Sequence, residues 1–399
     1  MDEFENLPTP DVEVGSVEPG ELLARIEAGE RVTLLDVRTE SEFEEWHIEG
    51  EDVEIANVPY YEFIEGTDES LLARVPESET GPIVAVCAKG GASAYVAGVL
   101  TEAGIDAVNM AEGMNGWARL YEVVEVSRAP GPGTVLQLQR PSSGCLSYLV
   151  HEGGEAALVD PLRTFTDFYV DLAEDLGVEL RYAVDTHVHA DHVSGVRRLA
   201  DRTGAASVLS VAAIEQRGVA FEVDHPVEDG EVLTVGDAEV EALHTPGHTS
   251  GMTSYLVDGA VLLTGDFLFV ESVARPDLEK GDEGAPDAAG LLYDTLQRTL
   301  EMPDDTLVAP GHYSDAAEPA EDDSYTARLG ELRESMPILR RDREAFVEFI
   351  LEDMPPRPSN YRKIIAINLG ERETDDEEAF ELELGPNNCA ATRESIAGD

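Results

Sequence analysis

Lysine is almost missing from this chain of 399 residues, where it occurs only at positions 89, 280 and 363. Together, lysine and arginine number 27 against 83 acidic residues, so the formal net charge is −56. This charge excludes nucleic acids and anionic membranes as expected partners. A hydrophobic content of 42% argues for folded cores and against disorder. Because salt screens repulsion between like charges, we expect a halophilic source.

Cysteine and long apolar runs are also scarce. Cys87, Cys145 and Cys389 are too few and too scattered for a disulfide framework. No apolar stretch reaches membrane-spanning length, and residues 1–6 lack the basic and apolar regions of a signal peptide. We therefore expect a cytoplasmic protein that does not bind membranes. Assembly as a homo-oligomer remains open.

Strands that alternate with helical patterns predict a small parallel α/β domain early in the chain. Apolar strands are predicted at 32–38, 83–87 and 107–110. The second strand ends at Cys87, and a glycine-containing loop and a helix follow. Backbone N–H groups of such a loop favour an anionic sulfur, which makes Cys87 the candidate nucleophile. The alternative is a small buried hydrophobic residue.

Several motifs in this region occur in the order found in rhodanese domains, the sulfurtransferase module. The matching segments are 36–43, 47–48, 87–93 and 112–117, so residues 32–120 resemble that family. The resemblance implies a Cys87 persulfide as the sulfur carrier. Ala92 stands where the family has an arginine, which weakens anion binding and disfavours thiosulfate turnover. We expect this domain to occupy residues 1–128.

A second cluster of reactive side chains lies in a predicted strand-to-helix loop, where three of the nine histidines fall within six positions. The loop contains His187, His189, Asp191 and His192. Imidazole and carboxylate groups are ligands for zinc, iron and manganese. Because His187 and His189 are two residues apart, they project to the same side of an extended loop. The alternative is a polar surface loop.

Three further predicted strands end close to a histidine or an aspartate. The strands at 239–243, 261–265 and 307–310 are followed by the side chains His248, Asp266 and His312. Rigid strands can hold such side chains at one edge of a sheet. The sequence therefore predicts a metal site assembled from four strand ends.

These combined motifs are the signature of the metallo-β-lactamase superfamily, which residues 134–315 resemble. The resemblance implies an αββα sandwich with metal at one end of the sheets. We expect this second domain, with helices and a tail after the sandwich, to occupy residues 129–399. The superfamily includes several chemistries, so the fold alone does not give the function.

One subfamily that the chain resembles is the persulfide dioxygenases. The resemblance implies a single Fe(II) held by His187, His248 and Asp266, with open positions for a low-molecular-weight thiol persulfide and O2. The other motif residues would orient these ligands or bind water: His189, Asp191, His192 and His312. The sulfane sulfur would leave as sulfite, and Cys87 would handle sulfur before or after this step.

The alternative is a dinuclear zinc hydrolase resembling glyoxalase II, in which two metals activate a hydroxide that attacks a thioester. The first zinc would be bound by His187, His189, His248 and Asp266. The second zinc would be bound by Asp191, His192, His312 and the shared Asp266.

Three observations favour the dioxygenase. Segments 275–278, 355–361 and 383–390 resemble dioxygenase relatives that are fused to rhodanese modules, and the first domain here is such a module. Arg275 and Tyr313 lie near the proposed site in sequence. We hold them as candidates for binding the carboxylate of a thiol substrate.

Overall fold

The computed structural model describes residues 12–127, 129–314, 316–352, 354–385 and 389–391. The chain divides into two compact units, Met1–Leu120 and Tyr121–Asp399. The sequence predicts a domain boundary after residue 128, which lies outside the described residues. Strand Glu122–Glu125 pairs with Thr134–Arg140, so the segment just after residue 120 belongs to the sheet of the second unit.

The first unit is a parallel sheet with the strand order β1-β5-β4-β2-β3. Its elements are β1 Gly15–Val17, α1 Pro19–Glu27, β2 Val32–Asp36, α2 Glu40–Glu45, β3 Val53–Asn57, α3 Tyr60–Glu65, α4 Glu69–Leu72, β4 Ile83–Val86, α5 Gly91–Glu102, β5 Ala107–Met110 and α6 Gly113–Trp117. The central strands β2 and β4 are buried along their whole length. Such continuous apolar strands are typical of parallel sheets covered on both faces, so the predicted α/β domain is confirmed.

The second unit begins with a seven-stranded sheet in the order β12-β11-β10-β9-β8-β7-β6. Its strands are β6 Glu122–Glu125, β7 Thr134–Arg140, β8 Cys145–Glu152, β9 Glu155–Val159, β10 Glu179–Val184, β11 Ala206–Ser210 and β12 His225–Val227. Helices α7 Thr166–Leu176, α8 Val196–Thr203 and α9 Val211–Arg217 connect the later strands, and a 3-10 turn at Arg163–Phe165 precedes α7. Strands β6 to β9 are antiparallel, whereas β9 to β12 are parallel.

A six-stranded sheet in the order β13-β14-β15-β16-β17-β18 follows. Its strands are β13 Val232–Val235, β14 Ala238–His244, β15 Thr253–Val257, β16 Val261–Gly265, β17 Leu307–Pro310 and β18 Ala327–Arg328. The helices of this part are α10 Gly281–Thr299, α11 Leu329–Ser335, α12 Arg343–Glu352, α13 Tyr361–Asn368 and α14 Asp376–Leu382, with a 3-10 turn at Pro337–Arg340.

Three apolar layers define the architecture of the second unit. The central layer lies between the sheets and includes Tyr148 and Val184 of the first sheet and Tyr255 of the second. A second layer packs α7 and α8 against the outer face of the first sheet. A third packs α10, α11 and α12 against the outer face of the second sheet. The predicted αββα sandwich is confirmed.

Among the described residues, no helix is both long and apolar enough to cross a bilayer. Residues 1–6 and 386–388, on which the signal-peptide and tail interpretations partly rest, lie outside the described residues.

Candidate metal centre and thiol site

The predicted metal-binding side chains lie where strands of the second unit end. His187 follows β10, His248 follows β14, Asp266 comes directly after β16, and His312 is the second residue after β17. Pairing of β16 with β17 sets Gly265 beside Pro310. A Cβ atom at Gly311 would lie 2.6 Å from Asp266 Oδ1, so this close approach requires glycine. All four side chains are buried.

Three of these residues leave a gap suited to an ion. His187 Nε2 and His248 Nε2 each lie 3.8 Å from Asp266 Oδ2. None of the three atoms has a hydrogen-bond partner although all are buried. Two atoms bound to one ion by bonds of about 2.1 Å lie about 3 to 4 Å apart. The three residues therefore fit a metal ion.

The far side of each imidazole is held in place. His187 Nδ1 lies 2.9 Å from Thr186 Oγ1, and His248 Nδ1 lies 2.9 Å from the carbonyl oxygen of Arg275. Burial lowers the pKa of both imidazoles, His187 most strongly, so they are neutral and can bind metal. Burial opposes ionisation of Asp266, but His312 and the two imidazoles hold its pKa below the ordinary value.

The side chains in the other half of the cluster are joined to one another by hydrogen bonds. Asp191 Oδ2 lies 2.9 Å from both His192 Nδ1 and His312 Nε2, and His312 Nδ1 lies 2.6 Å from Asp266 Oδ1. These are hydrogen-bond distances. Burial opposes protonation of His312, but Asp266 and Asp191 raise its pKa well above the ordinary value. Asp191 Oδ1 and His192 Nε2 are buried without a partner.

His189 is directed towards two other carboxylates. Its Nε2 lies 3.1 Å from Asp160 Oδ1 and 3.7 Å from Asp185 Oδ1, whereas its Nδ1 has no hydrogen-bond partner. Asp160 also accepts hydrogen bonds from the backbone and hydroxyl of Thr186. Asp160 thus orients both the His189 ring and the loop that carries His187.

Two thiols lie beside the hydrogen-bonded half, which sequence reasoning did not detect. Cys145 Sγ lies 3.5 Å from Asp191 Oδ2 and, with Asp191, His192 and His312, forms a group whose ligand atoms lie within 4.8 Å of one another. Cys389 forms a similar group with Asp191, Asp266 and His312. Burial raises the pKa of Cys145, but His312 opposes this and the net shift is downward. The backbone of Cys145 pairs with that of His312 in an isolated β-bridge. No local sequence pattern predicts this contact.

Arg275, a candidate for binding the carboxylate of a substrate, makes its described hydrogen bonds within the protein. Its guanidinium is buried and donates to both carboxylate oxygens of Asp277 and to the carbonyl oxygens of Pro355 and Pro356. Arg357 also contacts Asp277. The two segments at 275–278 and 355–361 therefore contact each other through the Arg275 guanidinium. That guanidinium is already engaged by hydrogen bonds to the buried Asp277 and to the two carbonyl oxygens.

Tyr313 packs against another aromatic ring, and no described hydrogen bond joins it to the cluster. Its ring stacks on that of Tyr325 at 3.6 Å, and its backbone N–H donates to Gly144. Burial raises the pKa of its phenol well above the ordinary value. These contacts give Tyr313 a packing role, so its expected role in substrate binding has no support among the described contacts.

The Cys87 site lies in the first unit, at the end of β4. Its Sγ accepts a hydrogen bond from Gly90 N–H at 3.1 Å and lies 3.1 Å from Ser93 Oγ. Gly90 has a φ of +85° and opens α5 as its N-cap. Ala92 is buried in the apolar core around Cys87, so position 92 supplies no charge. The glycine-containing loop predicted from the sequence thus places a backbone N–H beside the Cys87 sulfur, just before α5 begins.

Two family models match the chain. The model described as Metallo-beta-lactamase superfamily matches residues 141–312, and that described as Rhodanese-like domain matches residues 18–120. These matches confirm both resemblances drawn from the sequence.

Similar proteins include relatives with two different named activities. Persulfide dioxygenase ETHE1, mitochondrial, from Homo sapiens is 31% identical to the chain, over 47% of the chain and 72% of that protein. Hydroxyacylglutathione hydrolase from Rhodobacter capsulatus is 34% identical, over 41% of the chain and 70% of that protein. The crystal structure of ETHE1 from Myxococcus xanthus is 31% identical, with a TM-score of 0.51 over 59% of this chain and 98% of that chain.

Proposed function

The chain belongs to the metallo-β-lactamase superfamily and carries a rhodanese-like domain, and from this premise we propose that it is a persulfide dioxygenase. It oxidises the sulfane sulfur of a low-molecular-weight thiol persulfide to sulfite at one Fe(II), which His187, His248 and Asp266 hold. The balanced reaction is RSSH + O2 + H2O → RSH + H2SO3. Its partners are small molecules, and a persulfide on Cys87 carries sulfur.

One observation carries the proposal: among the described residues, the facing ligand atoms of one half of the His/Asp cluster form no hydrogen bond, whereas the residues of the other half hydrogen-bond to one another. His187 Nε2, His248 Nε2 and Asp266 Oδ2 are unpartnered, with the Asp266 atom 3.8 Å from each imidazole nitrogen. Two histidines and one carboxylate are the donor set of non-haem Fe(II) oxygenases. A ferrous ion bound there would supply open coordination positions where a persulfide sulfur and dioxygen meet.

The surrounding residues orient this donor set and control protons. The Thr186 hydroxyl and the Arg275 carbonyl fix the two imidazole rings. His312, bonded at Nδ1 to Asp266 and at Nε2 to Asp191, holds a proton between two carboxylates. Burial of the cluster excludes bulk water, which strengthens these electrostatic interactions.

The cellular setting belongs to the same proposal. Among the described residues, Cys87, Cys145 and Cys389 form no disulfide, which suits a reducing cytoplasm. We also propose a halophilic source, because the net charge of −56 is tolerated best where salt screens it. Assays therefore belong in concentrated potassium chloride.

A dinuclear thioester hydrolase is the second candidate. Asp191 Oδ1, His192 Nε2 and His189 Nδ1 are buried without partners, and these atoms could face further metal ions. The similarity to a hydroxyacylglutathione hydrolase points the same way. Against this candidate, His312 Nε2 lies 2.9 Å from Asp191 Oδ2, and His312 Nδ1 lies 2.6 Å from Asp266 Oδ1. These separations are shorter than the about 3 to 4 Å between two atoms that bind one ion.

Oxygen consumption separates the two functions. Protein loaded anaerobically with iron is given glutathione persulfide in an oxygen electrode, and sulfite is measured in parallel. We expect oxygen uptake that matches sulfite formation, and no hydrolysis of S-lactoylglutathione. Thioester hydrolysis by zinc-loaded protein, with no oxygen uptake by the iron form, would contradict the proposal.

A further inference from the structure

The Cys87 sulfur is in contact with a hydroxyl that is itself paired with an amide. Ser93 Oγ lies 3.1 Å from Cys87 Sγ and 2.7 Å from Asn109 Oδ1. Ser93 is fully buried in the first turn of α5. Asn109 lies on β5, where it pairs with Ala85 of β4, two residues before Cys87. Adjacent strands and the helix after the loop therefore fix all three side chains.

A hydroxyl has one hydrogen, so Ser93 cannot donate to both neighbours at once. When Cys87 is a thiol, its S–H can donate to Ser93 Oγ while Ser93 donates to Asn109 Oδ1. When Cys87 is a thiolate, Ser93 must turn its hydrogen to the sulfur. Asn109 can then rotate its amide and donate from Nδ2 to Ser93 Oγ, since the two amide orientations occupy the same space.

This arrangement matters because the loop has no arginine. Ala92 is buried in an apolar core, and the two described hydrogen-bond donors to the sulfur are neutral. The Gly90 N–H at 3.1 Å is one, and the Ser93 hydroxyl is the second. Hydrogen bonds to an ionised acceptor are about twice as strong as neutral ones.

We propose that Ser93 is a further catalytic residue, which stabilises Cys87 Sγ whenever that atom is anionic, and that Asn109 is a positioning residue that acts through Ser93. In loading, Cys87–S⁻ + RSSH → Cys87–SSH + RS⁻, the sulfur is the nucleophile. In delivery to cyanide, Cys87–SS⁻ + CN⁻ → Cys87–S⁻ + SCN⁻, the same atom is the leaving group. The inference rests on the proposed sulfur-carrying role of Cys87.

The test uses the full-length protein and two readouts at Cys87. Peptide mass spectrometry follows the gain of one sulfur atom from glutathione persulfide without oxygen, and thiocyanate formation follows its discharge to cyanide. Ser93→Ala should slow both steps about tenfold, as expected when a charged acceptor loses one hydrogen bond. Ser93→Thr keeps the hydroxyl and should restore most of the rate. Thr101→Ala, on the same helix with its hydroxyl bonded to Ala97, should change neither step.

Asn109→Asp probes the relay with the Ser93 hydroxyl in place. A carboxylate only accepts hydrogen bonds, so it retains the hydrogen of Ser93 and withholds it from the sulfur. This variant should therefore be at least as slow as Ser93→Ala, and most of its effect should disappear when Ser93 is already alanine. Should Ser93→Ala fail to fold, Asn109→Asp still decides the question.

The possible results separate the two proposals. Wild-type rates in both Ser93→Ala and Asn109→Asp would overturn the role of Ser93 while leaving sulfur transfer at Cys87 intact. If Cys87 of the wild-type protein takes up no sulfur, the sulfur-carrying function fails, and the inference fails with it.

Discussion

The two halves of the His/Asp cluster differ in how their polar atoms are used. In the first half, comprising His187, His248 and Asp266, the atoms that face one another are buried and have no described hydrogen-bond partner. Each imidazole Nε2 lies 3.8 Å from the carboxylate oxygen. In the second half, comprising Asp191, His192 and His312, the residues hydrogen-bond to one another at 2.9 Å. A bound ion would compensate the first half, whereas the second compensates itself in large part. The same set of ligand types can therefore serve two different purposes within one site.

Removal of a first-half ligand should have the largest effect. His248→Ala deletes one of three donors, so we expect iron content to fall to near zero and oxygen uptake to drop by more than about a thousandfold. Metal analysis and an oxygen electrode measure both. The matched control is His225→Ala, a partly exposed histidine that pairs with Glu231. Retention of metal after His248→Ala would indicate that the second half binds an ion by itself.

A buried ion pair holds the backbone beside the second half in place. Glu383 pairs with Arg140 at 3.0 Å and accepts the backbone N–H of Val193, next to His192. Glu383→Ala should leave a buried charge uncompensated and lower the free energy of unfolding by about 3–5 kcal/mol in a denaturant titration.

Asp376→Ala is the control for that variant, because it breaks the more exposed pairs that Asp376 forms with Arg163 and Arg198. We expect a loss of at most about 1 kcal/mol there. Equal losses in the two variants would mean that the buried pair gives the second half no special support.

Asp191→Asn sharpens the comparison within the site itself. The amide keeps the size of the side chain but removes the charge that pairs with His192 and His312. Since the second half acts on the ligands from outside, we expect oxygen uptake to fall about tenfold to a hundredfold, with iron retained. Loss of one of two bound metals in this variant would instead identify Asp191 as a ligand.

A smaller effect concerns pH. Glu271 lies beside this half, and burial raises its pKa although the Ser314 backbone opposes this. A carboxyl with a raised folded pKa stabilises the protein below its unfolded pKa, and that contribution is lost as pH rises through the folded value. Glu271→Gln should therefore flatten the decline of unfolding free energy above about pH 4.5, by about 1 kcal/mol or less. An unchanged slope in denaturant titrations across pH would contradict this.

Much of the site followed from the sequence because its information is local. Each metal-binding motif follows its own apolar strand, and parallel or adjacent strands bring such ends together. The Cys87 loop was likewise predictable from a strand, glycines and a helix in succession.

What escaped prediction depends on contacts between distant segments. Cys145 meets the cluster only because the start of β8 pairs with His312. Ser93 and Asn109 lie 16 residues apart and meet through a strand pairing. The contacts of Arg275 were not predicted, because two of its partners, the carbonyl oxygens of 355–356, come close to it only in the folded chain.

We propose that the cluster holds a single ion, bound by the first half, and that the second half orients the ligands of that ion. The most direct measurement is the metal content of protein titrated anaerobically with Fe(II) and, separately, with Zn(II), by elemental analysis after removal of free metal. We expect saturation at one iron per chain, with oxygen uptake rising in proportion. Two tightly bound metals per chain in both titrations, together with thioester hydrolysis that needs the second, would contradict it.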